Sequence, residues 1–422
     1  MHIFFIVPYI PNLIRVRPYN LLRQLTARGH KVTVLTLYAN ESERADVTSL
    51  QEYCHQVIAL PIPRWRSLWN CLLALPTGAP LQSAYCWQPA LIRQLDQLMN
   101  VDSEQQPFDV IHVEHLRGAR YGLYLQQQKT GVNGNIPIVW DSVDCISLLF
   151  KRAAKDSNNR FGRWVSRLEL GRTERYEGRL AQQFDHVLFT SRVDKNALEA
   201  LVPPNGKPTS LSVLGQGVDL DYFKPADIIK REPATVVVTG KMSYHANISM
   251  ALFLVDEIMP HVWASRPEVK VTIVGKDPAR EVLALAQNPA VTVTGTVADV
   301  RPYLQQATIA AAPITYGAGI QNKILEAMAC AAPVVATPQA IAALTAKAGR
   351  DLLVAQEPAA LADLMLTLLQ DVSRQEAIGR AGRTFVEAQH DWAAVTVRLE
   401  QIYNKVISQS PHKSVEPGAS SQ

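Results

Sequence analysis

Residues 308–337 read TIAAAPITYGAGIQNKILEAMACAAPVVAT. A short apolar run, TIAAAPI (308–314), leads into a loop opened by Gly317 and Gly319, then a stretch with helical spacing, then a second apolar run, PVVAT (333–337), announced by Pro333. The order is strand, glycine loop, helix, strand, the unit from which open parallel sheets are wound. At 100° per residue, Ile320, Ile324, Leu325 and Met328 cover one side of the helix, and Asn322, Lys323 and Glu326 gather on the other. One face packs on a sheet, and the other can meet a ligand.

Outward from this stretch the same alternation recurs. TVVVTG (235–240), VKVTIVG (269–275) and VTVTGTV (291–297) precede it. An earlier series comprises IFFIV (3–7), KVTVLTL (31–37), QVIALPI (56–62), FDVIHVEH (108–115), IPIVWDSV (136–143) and HVLFTS (186–191). Such runs, separated by longer helical patterns, predict buried parallel strands joined by crossover helices. PPNGKP (203–208) and LSVLGQGVDLDYFKP divide the two series. The chain therefore reads as two doubly wound, Rossmann-like α/β domains, 1–208 and 209–390, the second sheet starting near residue 230. A helix at 391–408, free to cross back to the first domain, and a Ser-, Pro- and Gly-rich tail at 409–422, expected to be disordered, complete it. Such sheets bind ligands beyond the carboxyl ends of their strands, so the expected site is a cleft faced by both domains.

Composition narrows the function. With 47% hydrophobic and 19% charged residues, the chain can build real cores. A net charge of +4 over 422 residues, with no basic block interleaved with aromatics, argues against a nucleic-acid partner. The five cysteines (Cys54, Cys71, Cys86, Cys145, Cys330) form no CxxC pair, and no histidine cluster has metal-ligand spacing, so thiols in a reducing cytoplasm are expected and a metal is not. The opening MHIFFIVPYIPNL lacks the basic start and long apolar run of a signal peptide, and no stretch approaches a membrane span. A cytoplasmic protein, peripheral at most at the inner face of the membrane, is expected.

The chemistry-bearing residues fall into groups. Gly317 and Gly319 let the backbone approach an anion, the amides at the helix start can donate to it, and Lys323 adds positive charge, which suits a diphosphate. Glu326, one turn further, can accept from both hydroxyls of a ribose. On spacing alone, a solvated Glu and Lys pair on an exposed face explains the pattern equally well. In the first half, His112, Glu114 and His115 stand at the carboxyl end of a strand. Strand alternation sends His112 and Glu114 one way and His115 the other unless the strand has ended; Glu114 and His115 are preferred for the site, and His112 for a structural role. Asp141 and Asp144 end the next strand and can bind acceptor hydroxyls or cap the following helix, capping being favoured for Asp144. Arg15 and Arg17 precede the first helix and can hold an acidic or pyrophosphate-bearing acceptor. Residues 151–180 carry nine basic against four acidic side chains, with Phe161, Trp164, Val165 and Leu168 on one helical face. That face either packs on its own domain or rests on an anionic membrane that carries a lipid-linked acceptor.

FDVIHVEHLRGARYG, IPIVWDSVDCISLLFKRAAK, GQGVDLDYFKP, TGKMSYHANISMALFLVDEIMPHV and GIQNKILEAMA together resemble the retaining family 4 (group 1) glycosyltransferases, and within them a bacterial exopolysaccharide branch. The resemblance covers nearly the whole chain and implies the GT-B fold, a nucleotide-diphosphate sugar as co-substrate without metal or other cofactor, and a glycan or lipid-linked acceptor. It implies a donor site of Gly240, Lys241, Gly319, Ile320, Gln321, Asn322, Lys323 and Glu326, with Lys241 against the diphosphate and Glu326 on the ribose. The chain departs from the family pattern in four places, the first being the Gly-rich loop after the first strand, which PYIPNLIRVRPYN (8–20) replaces. Ala318 stands where the first of two glutamates is usual, and Asn322 or the amides near Gly319 are candidates to substitute. The second basic residue after Lys241 would fall near Ala246, with Lys323 the candidate replacement, and Glu114 stands where a second histidine is usual.

The implied reaction is hexosyl transfer with retained anomeric configuration, Lys241, Lys323 and the Gly319 loop stabilising the departing diphosphate while Glu114 or His115 serves the acceptor. Two rival readings use the same fold: a nucleotide-sugar epimerase needing no acceptor, and a binding subunit without turnover. A nicotinamide dehydrogenase is set aside, because no GxGxxG follows the first strand.

Overall fold

The computed structural model describes residues 1–12, 14–99, 108–128, 136–156, 160–203, 206, 209–226, 231–316 and 319–410; the side chains of 153, 155–156 and 160–164 are outside the description. The expected tail thus lies outside the described residues from 411 onward, as do Gly317 and Ala318. The chain forms two compact units, Met1–Leu214 with Thr396–Gln422, and Gly215–Val395.

In the first unit β1 (His2–Val7), β2 (Lys31–Tyr38), β3 (Gln56–Pro61), β4 (Val110–Glu114), β5 (Ile138–Val143), β6 (His186–Phe189) and β7 (Ser210–Val213) form one sheet, ordered β3-β2-β1-β4-β5-β6-β7. Every neighbouring pair is parallel. The central strands read as continuous apolar runs because helices cover both sheet faces: Ile3–Val7 and all of β4 are buried. β7 was not foreseen. It is a half-exposed edge strand of four residues, too short and too weakly apolar to stand out, and its pairing with β6 carries the first unit to Leu214.

The second unit holds β8 (Thr235–Thr239), β9 (Lys270–Val274), β10 (Val291–Gly295), β11 (Ile309–Ala312), β12 (Val334–Ala336) and β13 (Leu353–Val354), ordered β10-β9-β8-β11-β12-β13. All its pairs are parallel too. In each sheet the winding reverses once, between β1 and β4 and between β8 and β11, and such a reversal opens a crevice at the strands' carboxyl ends. Two Rossmann-like halves of this kind are the GT-B architecture.

The last helix, Trp392–Gln409, belongs from Thr396 onward to the first unit. There Glu400 takes Arg28 Nε at 2.6 Å and His30 Nε2 at 2.8 Å, and the Tyr403 hydroxyl meets His112 Nδ1 at 2.7 Å.

Candidate functional site

In the second unit the site begins with backbone. Gly240 ends β8 with φ 152° and Gly275 ends β9 with φ 157°. A Cβ on Gly240 would stand 2.7 Å from Asn247 Nδ2, and one on Gly275 would collide with the Gly240 carbonyl. Only glycine lets these two loops close on one another, tied by Gly240 N to Val274 O at 3.0 Å and Met242 N to Lys276 O at 2.9 Å. The loop after β8 is thereby fixed, and Asn247, buried in the helix His245–Leu252, donates Nδ2 to the Lys241 carbonyl at 2.9 Å.

From the other side of the switch point, the loop after β11 passes through Gly319, at φ 71°, into the helix Asn322–Ala329. Ile324, Leu325 and Met328 are buried on the core side, whereas Asn322, Lys323 and Glu326 keep part of their surface. Lys323 Nζ donates to Asn247 Oδ1 at 2.8 Å and to Gln321 Oε1 at 3.4 Å. Asn247 therefore couples the two loops: its amide holds the Lys241 backbone and its oxygen aims the Lys323 ammonium. Burial pulls the Lys323 ammonium down to about 8, opposed by the nearby Glu326 carboxylate. Burial also pushes the Glu326 carboxyl up to about 7, opposed by Lys323. An ammonium and a carboxylate held in this way lack solvation that a charged, hydroxyl-bearing ligand can supply.

Lys241 itself is exposed, its Nζ 4.0 Å from the Asp277 carboxylate, a surface pair worth little. Ala246 is buried, and its neighbour His245 takes the outward position. The His245 ring stacks on Tyr316 at 5.4 Å, and its Nδ1 lies 2.8 Å from the Tyr316 hydroxyl, which also meets Ser249 Oγ at 3.3 Å. Asn247, His245 and Tyr316 carried no signal of their own in the sequence. Only the adjacency of β8 and β11 brings Asn247 to Lys323 and His245 to Tyr316.

The first unit gathers a second polar cluster at its switch point. Glu114 ends β4, its Oε1 accepting from the Tyr9 hydroxyl at 3.0 Å. It is 1% exposed, and burial, then the Asp141 charge, pushes its carboxyl well above the usual carboxylate range. His115 opens the next helix with φ 62° after the strand has ended. Its Nδ1 accepts from Arg117 N at 3.3 Å, and burial, aided by Arg117, lowers it to about 3, leaving a neutral ring. His112 is buried, stacked on Phe5 at 4.0 Å, with Nε2 3.8 Å from Asp141.

Three sequence-derived residues find partners within the fold. Arg17 and Asp141 bind each other, Nε to Oδ2 at 2.9 Å, and both are buried. Arg15 reaches Glu43 at 2.9 Å and the Ile10 carbonyl at 3.1 Å. The expectation for Asp144 needs correction. It accepts from Thr190 Oγ1 at 3.2 Å, and the helix Ile146–Asp156 is capped instead by Glu177, whose oxygens take Ile146 N at 2.7 Å and Ser147 N at 3.0 Å. A long-range carboxylate outcompetes the local one because the helix Arg160–Leu180 is packed beside that N-terminus. Of the apolar face expected there, Leu168 is exposed and Val165 half-buried; the side chains of Phe161 and Trp164 lie outside the description.

Comparison with known proteins fits both halves. Residues 14–212 match the family model described as glycosyl transferase 4-like domain, and residues 233–371 match the one described as glycosyl transferases group 1. Both halves are glycosyltransferase domains. The group 1 half holds the Asn247–Lys323–Glu326 arrangement, and the 4-like half holds the Glu114 cluster. A GDP-mannose-dependent monoacylated alpha-(1-6)-phosphatidylinositol monomannoside mannosyltransferase of Corynebacterium glutamicum is 33% identical over 156 residues, 34% of this chain and 41% of that protein. The match therefore spans well under half of that relative. Among solved structures, Anabaena HepE in complex with UDP and glucose superposes with a TM-score of 0.66 at 15% identity, covering 96% of this chain and 100% of that one. Sucrose-phosphate synthase of Thermosynechococcus elongatus gives 0.66 at 18% identity, covering 97% and 100%. At these identities the likeness establishes the shared GT-B fold.

Proposed function

We propose that this glycosyltransferase-fold chain moves a hexosyl group from a nucleotide-diphosphate sugar to a hydroxyl acceptor with retention. The observation that carries the reading is the Lys323 ammonium, desolvated yet aimed by Asn247 at the start of the helix after β11, one turn before a desolvated Glu326. A diphosphate answers the first and ribose hydroxyls the second. The helix-start amides and Gly319 add donors, Ile320, Gln321 and Asn322 line the approach, and Lys241 after Gly240 meets the diphosphate from the β8 side. Lys241 and Lys323 then hold the charge that develops as the sugar–phosphate bond breaks, in place of a metal. The leaving phosphate takes the acceptor proton, so no covalent nucleophile is needed. Glu114, its carboxyl raised by burial, and His115, a neutral ring, serve the acceptor as hydrogen-bonding groups, beside Arg15 and the Arg17–Asp141 pair.

A glycan or lipid-linked acceptor in cell-envelope or exopolysaccharide synthesis, at the inner face of the membrane, follows from the sequence resemblance given above. Thermal shift with UDP-, GDP- and ADP-sugars selects the donor. Transfer is then followed with extracted lipid and glycan acceptors, and the anomeric configuration of the product is read by NMR. Retention is expected, and an inverted product overturns the mechanism. A donor isomerised in the absence of acceptor establishes an epimerase instead.

A further inference from the structure

The helix Arg64–Ala74, RWRSLWNCLLA, is amphipathic in the wrong sense for a helix packed on a soluble protein. Its buried residues are Ser67, Asn70 and Ala74, small or polar, with Asn70 Nδ2 donating to the Trp87 carbonyl at 2.8 Å. Its large apolar residues point outward: Trp65 is 65% exposed, Leu68 64%, and Trp69, Leu72 and Leu73 57% each. At 100° per residue these five fall within an arc of about 140°, centred opposite the buried three. Soluble surfaces scatter single apolar side chains, and five large ones on one face of one helix mark a surface that binds something apolar.

The charge around this face identifies the occupant. Between Glu52 and Asp96 the chain has no acidic residue and three arginines, Arg64, Arg66 and Arg93. Glu169, which faces this region from the helix Arg160–Leu180, is buried and taken up by Leu81 N at 2.7 Å and by Arg172. That helix also touches the far end of the patch, Arg172 donating to the Leu75 carbonyl at 2.8 Å. Exposed tryptophans among leucines, on a segment that carries arginines and no carboxylate, match the headgroup–acyl boundary of an anionic bilayer. We propose that the face Trp65–Leu68–Trp69–Leu72–Leu73 is a membrane-docking surface, inserting parallel to an anionic phospholipid leaflet with Arg64 at the headgroups.

The test is co-flotation of the full chain with phosphatidylcholine vesicles, with and without phosphatidylglycerol. Binding to the phosphatidylglycerol vesicles that weakens with salt is expected. The triple variant Trp65→Ser/Trp69→Ser/Leu72→Ser should reduce it by on the order of tenfold or more, and Arg64→Glu by a smaller factor. Because these side chains make up exposed surface, both variants should keep the wild-type melting temperature, which is measured alongside. The proposal is overturned if the wild-type chain ignores both vesicle types, or if the triple variant binds as wild type. It is equally overturned if light scattering shows a dimer that the triple variant dissolves while vesicles are not bound, the face then being a contact between copies.

Discussion

Lys323 holds its proton more weakly than a surface lysine because burial pulls it down to about 8. Diphosphate binding requires the charged form, so donor affinity should fall above pH 8 by up to about tenfold per unit. Lys323→Arg, whose guanidinium stays charged, should remove that alkaline fall; calorimetric titration with the selected nucleoside diphosphate from pH 7 to 10 checks both. Glu326 shifts the opposite way. Its folded value of about 7 lies above its ordinary 4.5. The folded chain therefore binds this proton more tightly than the unfolded chain, and stability drops as pH rises from 4.5 through 7. Glu326→Gln should thus melt no lower than wild type at pH 8, while donor affinity weakens by about 1–3 kcal/mol. A variant that melts lower and binds donor unchanged would make Glu326 a packing residue.

At the scale of the element, the first turn of the helix Ile146–Asp156 depends on a residue outside it. Glu177→Ala leaves the amides of Ile146 and Ser147 without their acceptor and should cost about 2–3 kcal/mol in urea unfolding; Glu177→Gln, keeping one acceptor, should cost less. The same contrast separates what the sequence disclosed from what it did not. Strand runs such as IFFIV and TVVVTG were legible because a strand buried on both faces must be apolar throughout. The faces of the helix Asn322–Ala329 were legible because helical spacing is local. The cap at Glu177, the edge strand β7 and the bond from Asn247 to Lys323 were not, because each joins residues that only the folded topology makes neighbours.

For the whole molecule, the notable economy is that the chain's last described helix completes the core of its first unit. Tyr403 is fully buried there, and its hydroxyl lies on His112 Nδ1 at 2.7 Å. Burial lowers His112 to about 4, so the ring is neutral at pH 7. With Asp141 beside Nε2 at 3.8 Å, the favoured tautomer carries its hydrogen there and leaves Nδ1 to accept from the tyrosine. Tyr403→Phe keeps the packing and strands that nitrogen in the interior, so the first unit should lose about 1–3 kcal/mol. The second unit, whose site lies on other strands, should be untouched. Differential scanning calorimetry with and without nucleoside diphosphate separates the two: the transition that the nucleotide does not raise should move down in Tyr403→Phe, and the one that it raises should stay. If both fall together, the two units unfold as one, and the helix Trp392–Gln409 couples their stability rather than closing the core of the first alone.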